Sequence, residues 1–300
     1  MYTYTFTQWM LLFFTYSFFG WCIESTIVSV KERHLVNRGF LRIPMLPLYG
    51  SGAVLILFLT IPVQDSLVSV YVVGALGATV LEYITGWGME QLFKIKYWDY
   101  SSQKLQLHGR ICLSSSLFWG VLSVALTEYI HPPIGRLILG LPAAVVTACS
   151  ITFFFIMLAD TIVSAKAALD LARILERLSR TRDEIEQLRI QLDGLRESAQ
   201  QEIDAAKKAA QQEISAARES AQQHIIGVKE GIKEKQERME ELLHEPSEKI
   251  RSRLHELSAM RENEMSHLGF IKSQLLKGHP SAYSKRFNDT LRELKEYLKG

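Results

Sequence analysis

The chain reads as an all-α protein in two parts: a bundle of about five membrane-spanning helices, followed by a long helical stalk. Three observations carry this. Charge is unevenly distributed: residues 1–160 hold nine Lys/Arg and eight Asp/Glu, whereas residues 161–300 hold 25 and 24. The first part contains uncharged runs long enough to cross a bilayer, and the second has a helix-forming composition with a hydrophobic repeat. A mean hydropathy near zero is therefore the average of two unlike halves and does not describe a single soluble globule.

Five segments justify the bundle. Residues 6–30 carry one charge, Glu24; residues 43–64 carry none; residues 66–88 carry only Glu82; residues 111–130 only Glu128; and residues 137–159 none. At 1.5 Å per residue, roughly 20 apolar residues cross a ~30 Å hydrocarbon core. The first segment lacks the basic start of a signal peptide and is too long for one, so it reads as a retained helix. Basic residues then set orientation. Lys31, Arg33, Arg38 and Arg42 follow the first span, and Lys94, Lys96, Lys104 and Arg110 follow the third. The connectors near Asp65 and at His131-Pro132-Pro133 are poor in Lys and Arg. This alternation predicts an outside N-terminus and an inside C-terminus. Tyr97, Trp98 and Tyr100 would lie at the inner interface, and Tyr2, Tyr4 and Trp9 at the outer one.

The stalk begins after the transmembrane domain, residues 1–162. From Ser164 to Glu245 there is no proline, and Leu171, Ile174, Leu178, Ile185, Leu188, Leu192 and Leu195 keep heptad spacing with Thr181 in one slot. The period then changes to eleven, in AQQEIDAAKKA (199–209), AQQEISAARES (210–220) and AQQHIIGVKEG (221–231). Leu192, Ile203, Ile214 and Ile225 are eleven apart, as are Leu195, Ala206, Ala217 and Val228, which gives a nearly straight stripe. So narrow a stripe needs a matching helix, which predicts a coiled coil over 163–245 and a homo-oligomer formed through it. The competing reading is an amphipathic helix on lipid, which the Gln-rich polar face disfavours. Pro246 is expected to end the long helix, and residues 246–300 form a C-terminal helical segment: one helix to about Lys277, a break at Gly278-His279-Pro280, and a short helix from Ser281 to Leu298.

Little chemistry is visible. Neither half carries the net charge for a bulk grip on nucleic acid. Cys22, Cys112 and Cys149 are odd in number, lie in apolar stretches and form no C-x-x-C pair, so no disulfide framework, metal site or cofactor is expected. G-x-x-x-x-G-K-[ST], H-E-x-x-H and G-x-S-x-G are absent, and the chain is not expected to be an enzyme or to hydrolyse ATP. The exceptions are Glu24 and Glu82. Intramembrane carboxylates usually face a bundle interior or cavity and pair with a cation. Arg38, Arg42, His108 and Arg110 are candidates at the same depth. The pairing would either clamp the helix ends or line a path. Glu128 lies near the outer interface and reads as solvated. Gly74, Gly77 and Ala78 make a small-residue face for helix packing, and Ser114-Ser115-Ser116 caps the fourth span or lines a cavity.

Several motifs fall in a familiar order: Asn37-Arg38-Gly39-Phe40-Leu41 with Pro47-Leu48-Tyr49-Gly50, Glu82-Tyr83-Ile84-Thr85-Gly86, Trp98-Asp99-Tyr100-Ser101, and Gly109-Arg110-Ile111-Cys112-Leu113 with Phe118-Trp119-Gly120. Over most of residues 10–160 the chain resembles a bacterial family of CmpB-like membrane proteins called Putative ABC-transporter type IV. Ala282-Tyr283-Ser284-Lys285-Arg286-Phe287 also resembles that family's tail. Arg42-Ile43-Pro44 and Leu113-Ser114-Ser115 depart from its pattern. The resemblance implies a multi-pass protein of the cell membrane and, by the family's name, a transport role without indicating a substrate. Together with the buried-charge pattern, the candidate functional residues are Glu24, Arg38, Glu82, Trp98, Asp99, His108 and Arg110. A permease subunit served by a separate ATPase is the first expectation. A membrane-anchored scaffold for cytoplasmic partners is the second.

Overall fold

A computed structural model describes residues 4–216 and 222–298. It is helical nearly throughout: α1 (Phe6–Glu32), α2 (Pro47–Thr60) with a 3-10 turn Ile61–Val63, α3 (Leu67–Phe93), α4 (Leu113–Val124), a π-helical turn Ala125–Ile130, α5 (His131–Gly140), α6 (Ala143–Ala216), α7 (Gln222–Ser266), α8 (Phe270–Gly278) and α9 (Asn288–Tyr297). Between α3 and α4, β1 (Gln106–Leu107) and β2 (Ile111–Cys112) form a short antiparallel hairpin. Two compact units result: Met1–Leu175 with Leu268–Gly300, and Glu176–His267.

In the first unit, four helices are long and apolar enough to cross a membrane: Phe6–Glu32, Leu67–Phe93, Leu113–Gly140 and the start of α6. The expected second span, Pro47–Val63, is apolar but shorter, near the ~17-residue lower limit for spanning. One expected boundary moves. His131-Pro132-Pro133 is not a connector, because the helix runs through it from Leu113 to Gly140. The π-helical turn ahead of it bonds the His131 N–H to Leu126 O, and the prolines occupy the first positions of α5, where a missing N–H costs least. The chain reverses instead at Leu141-Pro142, with Leu141 extended (ψ 146°), the conformation a following proline enforces. His131 is buried, its two ring nitrogens within hydrogen-bond reach of the Tyr4 (3.0 Å) and Tyr16 (2.9 Å) hydroxyls.

Three helix starts are fixed by local side-chain caps. Thr5 caps α1 through a reciprocal bond with Gln8, Ser66 caps α3, and the Cys112 thiol accepts from Ser115 N–H to cap α4. Helices then approach at glycines. A Cβ on Gly50 would fall on Phe13 O and Ser17 Oγ of α1, and one on Gly74 of α3 would fall on Ser123 of α4. The small-residue face of α3 is thus a packing surface, and Ala78 is buried in the core with Leu12, Leu57, Leu126 and Val146.

Of the C-terminal segment, only the part from Leu268 onward belongs to this unit. Lys96 and Tyr283 exchange two backbone hydrogen bonds (2.7 and 2.9 Å), and Ser284 Oγ donates to Lys94 O. Its helices differ from expectation. The expected break at Gly278-His279-Pro280 is present, since α8 ends at Gly278, but a further break falls at His267–Gly269, where Gly269 takes φ +68°, and the last helix begins at Asn288, later than Ser281.

In the second unit, α6 from Glu176 onward and α7 run antiparallel: Arg177 pairs with Glu264, Glu184 with Arg253, and Ile203 and Ala206 lie beside Ile232 and Met239. The stripe of α6 is covered along its described length, with Leu178, Ile185, Leu192, Ala199 and Ala210 buried. The covering helix belongs to the same chain, so burial of the stripe does not call for a second copy. Pro246 does not end a helix: it sits exposed within α7, and Ser247 Oγ donates to the nearby His244 O. The position of Tyr2 and the side chains of Ile214, Ala217 and Ile225 lie outside the described residues.

Candidate functional site

The 33–46 loop is fastened at several points before it delivers Arg38. Trp21 Nε1 donates to Asn37 Oδ1 (2.6 Å), Arg38 N to Ser25 Oγ (3.1 Å), and the backbone N–H groups of Arg42 and Ile43 to the buried carboxylate of Asp160 on α6 (2.7 and 3.1 Å). This puts the Arg38 guanidinium 3.6 Å from Glu24 Oε2 on α1, while Arg38 Nη1 donates to Gly278 O of the tail. Tyr49, near the start of α2, donates its hydroxyl to Glu24 Oε1 at 2.6 Å. Glu24 thus has a cation and a strong neutral donor.

Glu82 is different. It is 5% exposed and accepts from Trp119 Nε1 (2.9 Å), Tyr100 Oη (3.1 Å) and Ser115 Oγ (3.5 Å). No Lys, Arg or His within 4.0 Å pairs with it among the described residues. Trp Nε1 can only donate, so it fixes Oε2 as an acceptor, whereas the Tyr100 and Ser115 hydroxyls can donate or accept. Burial and the adjacent Glu82 carboxylate push the Tyr100 hydroxyl well above its usual range, so it stays protonated and donating.

The remaining predicted residues organise the 94–112 loop. Arg110 pairs with Glu90 at 2.7 Å, not with Glu82, and stacks over Tyr83. His108 shares a hydrogen bond with Tyr83, and its carbonyl accepts from Lys96 Nζ. Asp99 accepts from Ser101 Oγ (2.6 Å) and lies 3.7 Å from Lys96. Trp98 Nε1 donates to Arg110 O. Gly109 takes φ +68°, and a Cβ there would strike Asp99, so the turn requires glycine.

These elements enclose a cavity of about 500 Å³ whose walls include Glu24, Arg38, Tyr49, Glu82, Trp119 and His279. A second cavity of about 350 Å³, walled mainly by apolar side chains such as Ile23, Ile56 and Leu126, shares Leu48, Tyr49, Glu82 and Trp119 with it. Tyr49 and Trp119 meet edge to face there, ring centroids 5.8 Å apart. Of the seven residues singled out in the sequence, Glu24, Arg38, Glu82 and Trp98 line the larger cavity; Asp99, His108 and Arg110 hold the adjoining loop. Arg42 contributes its backbone N–H to Asp160 and does not pair with either glutamate. Tyr49, Tyr100, Ser115, Trp119 and His279 were not singled out as site residues, although the first four stand in or beside motifs the sequence displayed.

His279 closes one side. Burial, with Arg38 and Lys295 nearby, holds its imidazole down at about 3, so it is neutral at pH 7 and its Nδ1 is 2.9 Å from Leu275 O. No cluster of three or more His, Cys, Asp or Glu that could hold a metal ion occurs among the described residues.

Several helices long and apolar enough to cross a bilayer define a polytopic α-helical membrane protein. The family model for Putative ABC-transporter type IV proteins matches residues 11–165, and the chain belongs to that family. The match includes the walls of both cavities except His279. No curated protein and no solved structure matches the chain.

Proposed function

We propose that the chain is the membrane-embedded permease subunit of a transporter whose ATPase is a separate protein. The observation that carries this is the shared wall: two cavities, one with charged groups in a mainly apolar wall and one mainly apolar apart from Glu82, meet at Tyr49, Glu82 and Trp119. A rotamer change of Tyr49 or Trp119 would join them into one path, and a buried carboxylate at the junction would select what passes. The alternating basic connectors orient the N-terminus outside and residues 163–300 in the cytoplasm, with the loops around Arg38 and Arg110 on the side where an ATPase would dock. Purification from native membranes tests the reading: an ATPase should co-purify in stoichiometric amount, and its absence under conditions that preserve other transporters would refute it. Single-cysteine labelling tests the orientation on a Cys-free background. A membrane-impermeant reagent should label position 141 and not position 103.

The second reading is a membrane-anchored scaffold. The antiparallel α6–α7 pair favours it, because its outer faces are dense in Glu, Lys and Arg and free for partner helices. Co-purification of cytoskeletal or envelope proteins in place of an ATPase would select it. A homo-oligomer remains part of the permease proposal, since a bundle this small makes a wider path by pairing.

A further inference from the structure

The larger cavity has a charge count that its walls leave open. Glu24 and Arg38 face each other at 3.6 Å and cancel. His279 is neutral. Glu82 remains as a carboxyl group hydrogen-bonded by neutral partners and without a cation within ion-pair distance among the described residues. A buried carboxylate in that state is costly unless a cation joins it. The cavity wall also carries Tyr49, Tyr97, Trp98, Tyr100, Phe118 and Trp119. Aromatic faces attract cations, most strongly where water is excluded. A volume of about 500 Å³ lies within the ~300–1,000 Å³ usual for small-molecule sites and far above what a bare metal ion needs. The adjoining cavity of about 350 Å³ offers apolar walls just past Glu82.

We infer that the larger cavity binds an organic monocation bearing apolar substituents, with Glu82 as its counter-charge and the aromatic side chains as its cage. A bare inorganic cation would leave most of a cavity of about 500 Å³ unfilled. An anion would face Glu82 with its only cation already paired. The inference deepens the permease reading and rests on it for the use of the site; binding is measured here without transport, so each can fail alone.

The test is saturation binding of radiolabelled tetraphenylphosphonium to the purified full chain in detergent at pH 7.5. Binding should saturate at one per chain, yield to tetrapropylammonium, and resist neutral triphenylphosphine oxide at the same concentration. Glu82→Gln should weaken it by roughly tenfold or more, since a unit charge a few ångströms away is removed from a poorly screened site. Thr85→Lys, which adds a cation to the cavity wall without touching the hydrogen bonds of Glu82, should weaken it similarly and serves if Glu82→Gln fails to fold. Equal displacement by the neutral compound, wild-type affinity in either variant, or no saturable binding overturns the inference. Binding without a co-purifying ATPase leaves it standing and removes the permease reading; an ATPase without binding does the reverse.

Discussion

Glu24→Gln and Glu82→Gln are isosteric changes to two carboxylates on the same cavity, and they should behave differently. At position 24 the amide oxygen can face Arg38 while its NH₂ donates to Tyr49 Oη, but the guanidinium, 15% exposed, is left without its counter-ion. Breaking a fully buried pair costs ~3–5 kcal/mol. Glu24 keeps 27% exposure, so screening reduces this to ~1–3 kcal/mol. At position 82 no cation is orphaned. The amide oxygen can accept from Trp119, and its NH₂ can donate to Tyr100 Oη, which turns to accept. The loss is then that of exchanging charged for neutral hydrogen bonds, ~1 kcal/mol. With ~2–4 °C per kcal/mol for a unit of this size, Glu24→Gln, at the ~2 kcal/mol middle of its range, should lower Tm by about 4–8 °C and Glu82→Gln by about 2–4 °C. The measurement is thermal unfolding in detergent followed by intrinsic fluorescence. Adding Arg38→Gln to Glu24→Gln should recover ~1–2 kcal/mol in a double-mutant cycle, because it removes the orphaned charge. A Glu82→Gln that unfolds earlier than Glu24→Gln would refute the assignment, for it would mean that Glu82 is the structural ion-pair partner.

Three further outcomes are expected. The docked tail should loosen in acid. The folded-state value of His279 is about 3 against ~6.5 when exposed, so the open state binds more protons between those limits and docking is strongest above pH 6.5 and lost as pH falls toward 3. Amides of residues 270–298 should exchange roughly tenfold faster at pH 5.5 than at 7.5 after correction for intrinsic rates, a difference that His279→Gln should erase. Gly74→Ala should cost ~1–3 kcal/mol by overpacking α3 against α4, and Ser123→Gly should restore most of it, since the new Cβ falls on the Ser123 side chain; failure of the rescue would show that another contact is responsible. Residues 176–267 expressed alone should be helical to an extent independent of concentration, and Leu257→Asp, at a site 3% exposed, should unfold the pair; helicity that rises with concentration would mean that the stripe is covered by a second copy.

The sequence by itself determined the helices and the side chains they needed to hide. Uncharged runs of about 20 residues and a heptad stripe are local signals, because length and periodicity act within one element. That is why α1, α3 and the buried positions Leu178, Ile185 and Leu192 were legible. The prolines were legible only in part. Pro142 acts through the residue before it, a local effect that holds, but Pro132, Pro133 and Pro246 lie inside continuous helix, because a π-helical turn relieves the first two and packing against α6 carries α7 through the third. Partnership was decided by the tertiary structure alone. The residues 203 and 232 meet only because the chain doubles back, and Arg110 chooses Glu90 over Glu82 because the 106–112 hairpin aims it there. The unpaired charge of Glu82 has the same origin: a sequence displays carboxylates and cations, but which of them come within 4 Å depends on where three loops and a tail from the far end of the chain come to rest.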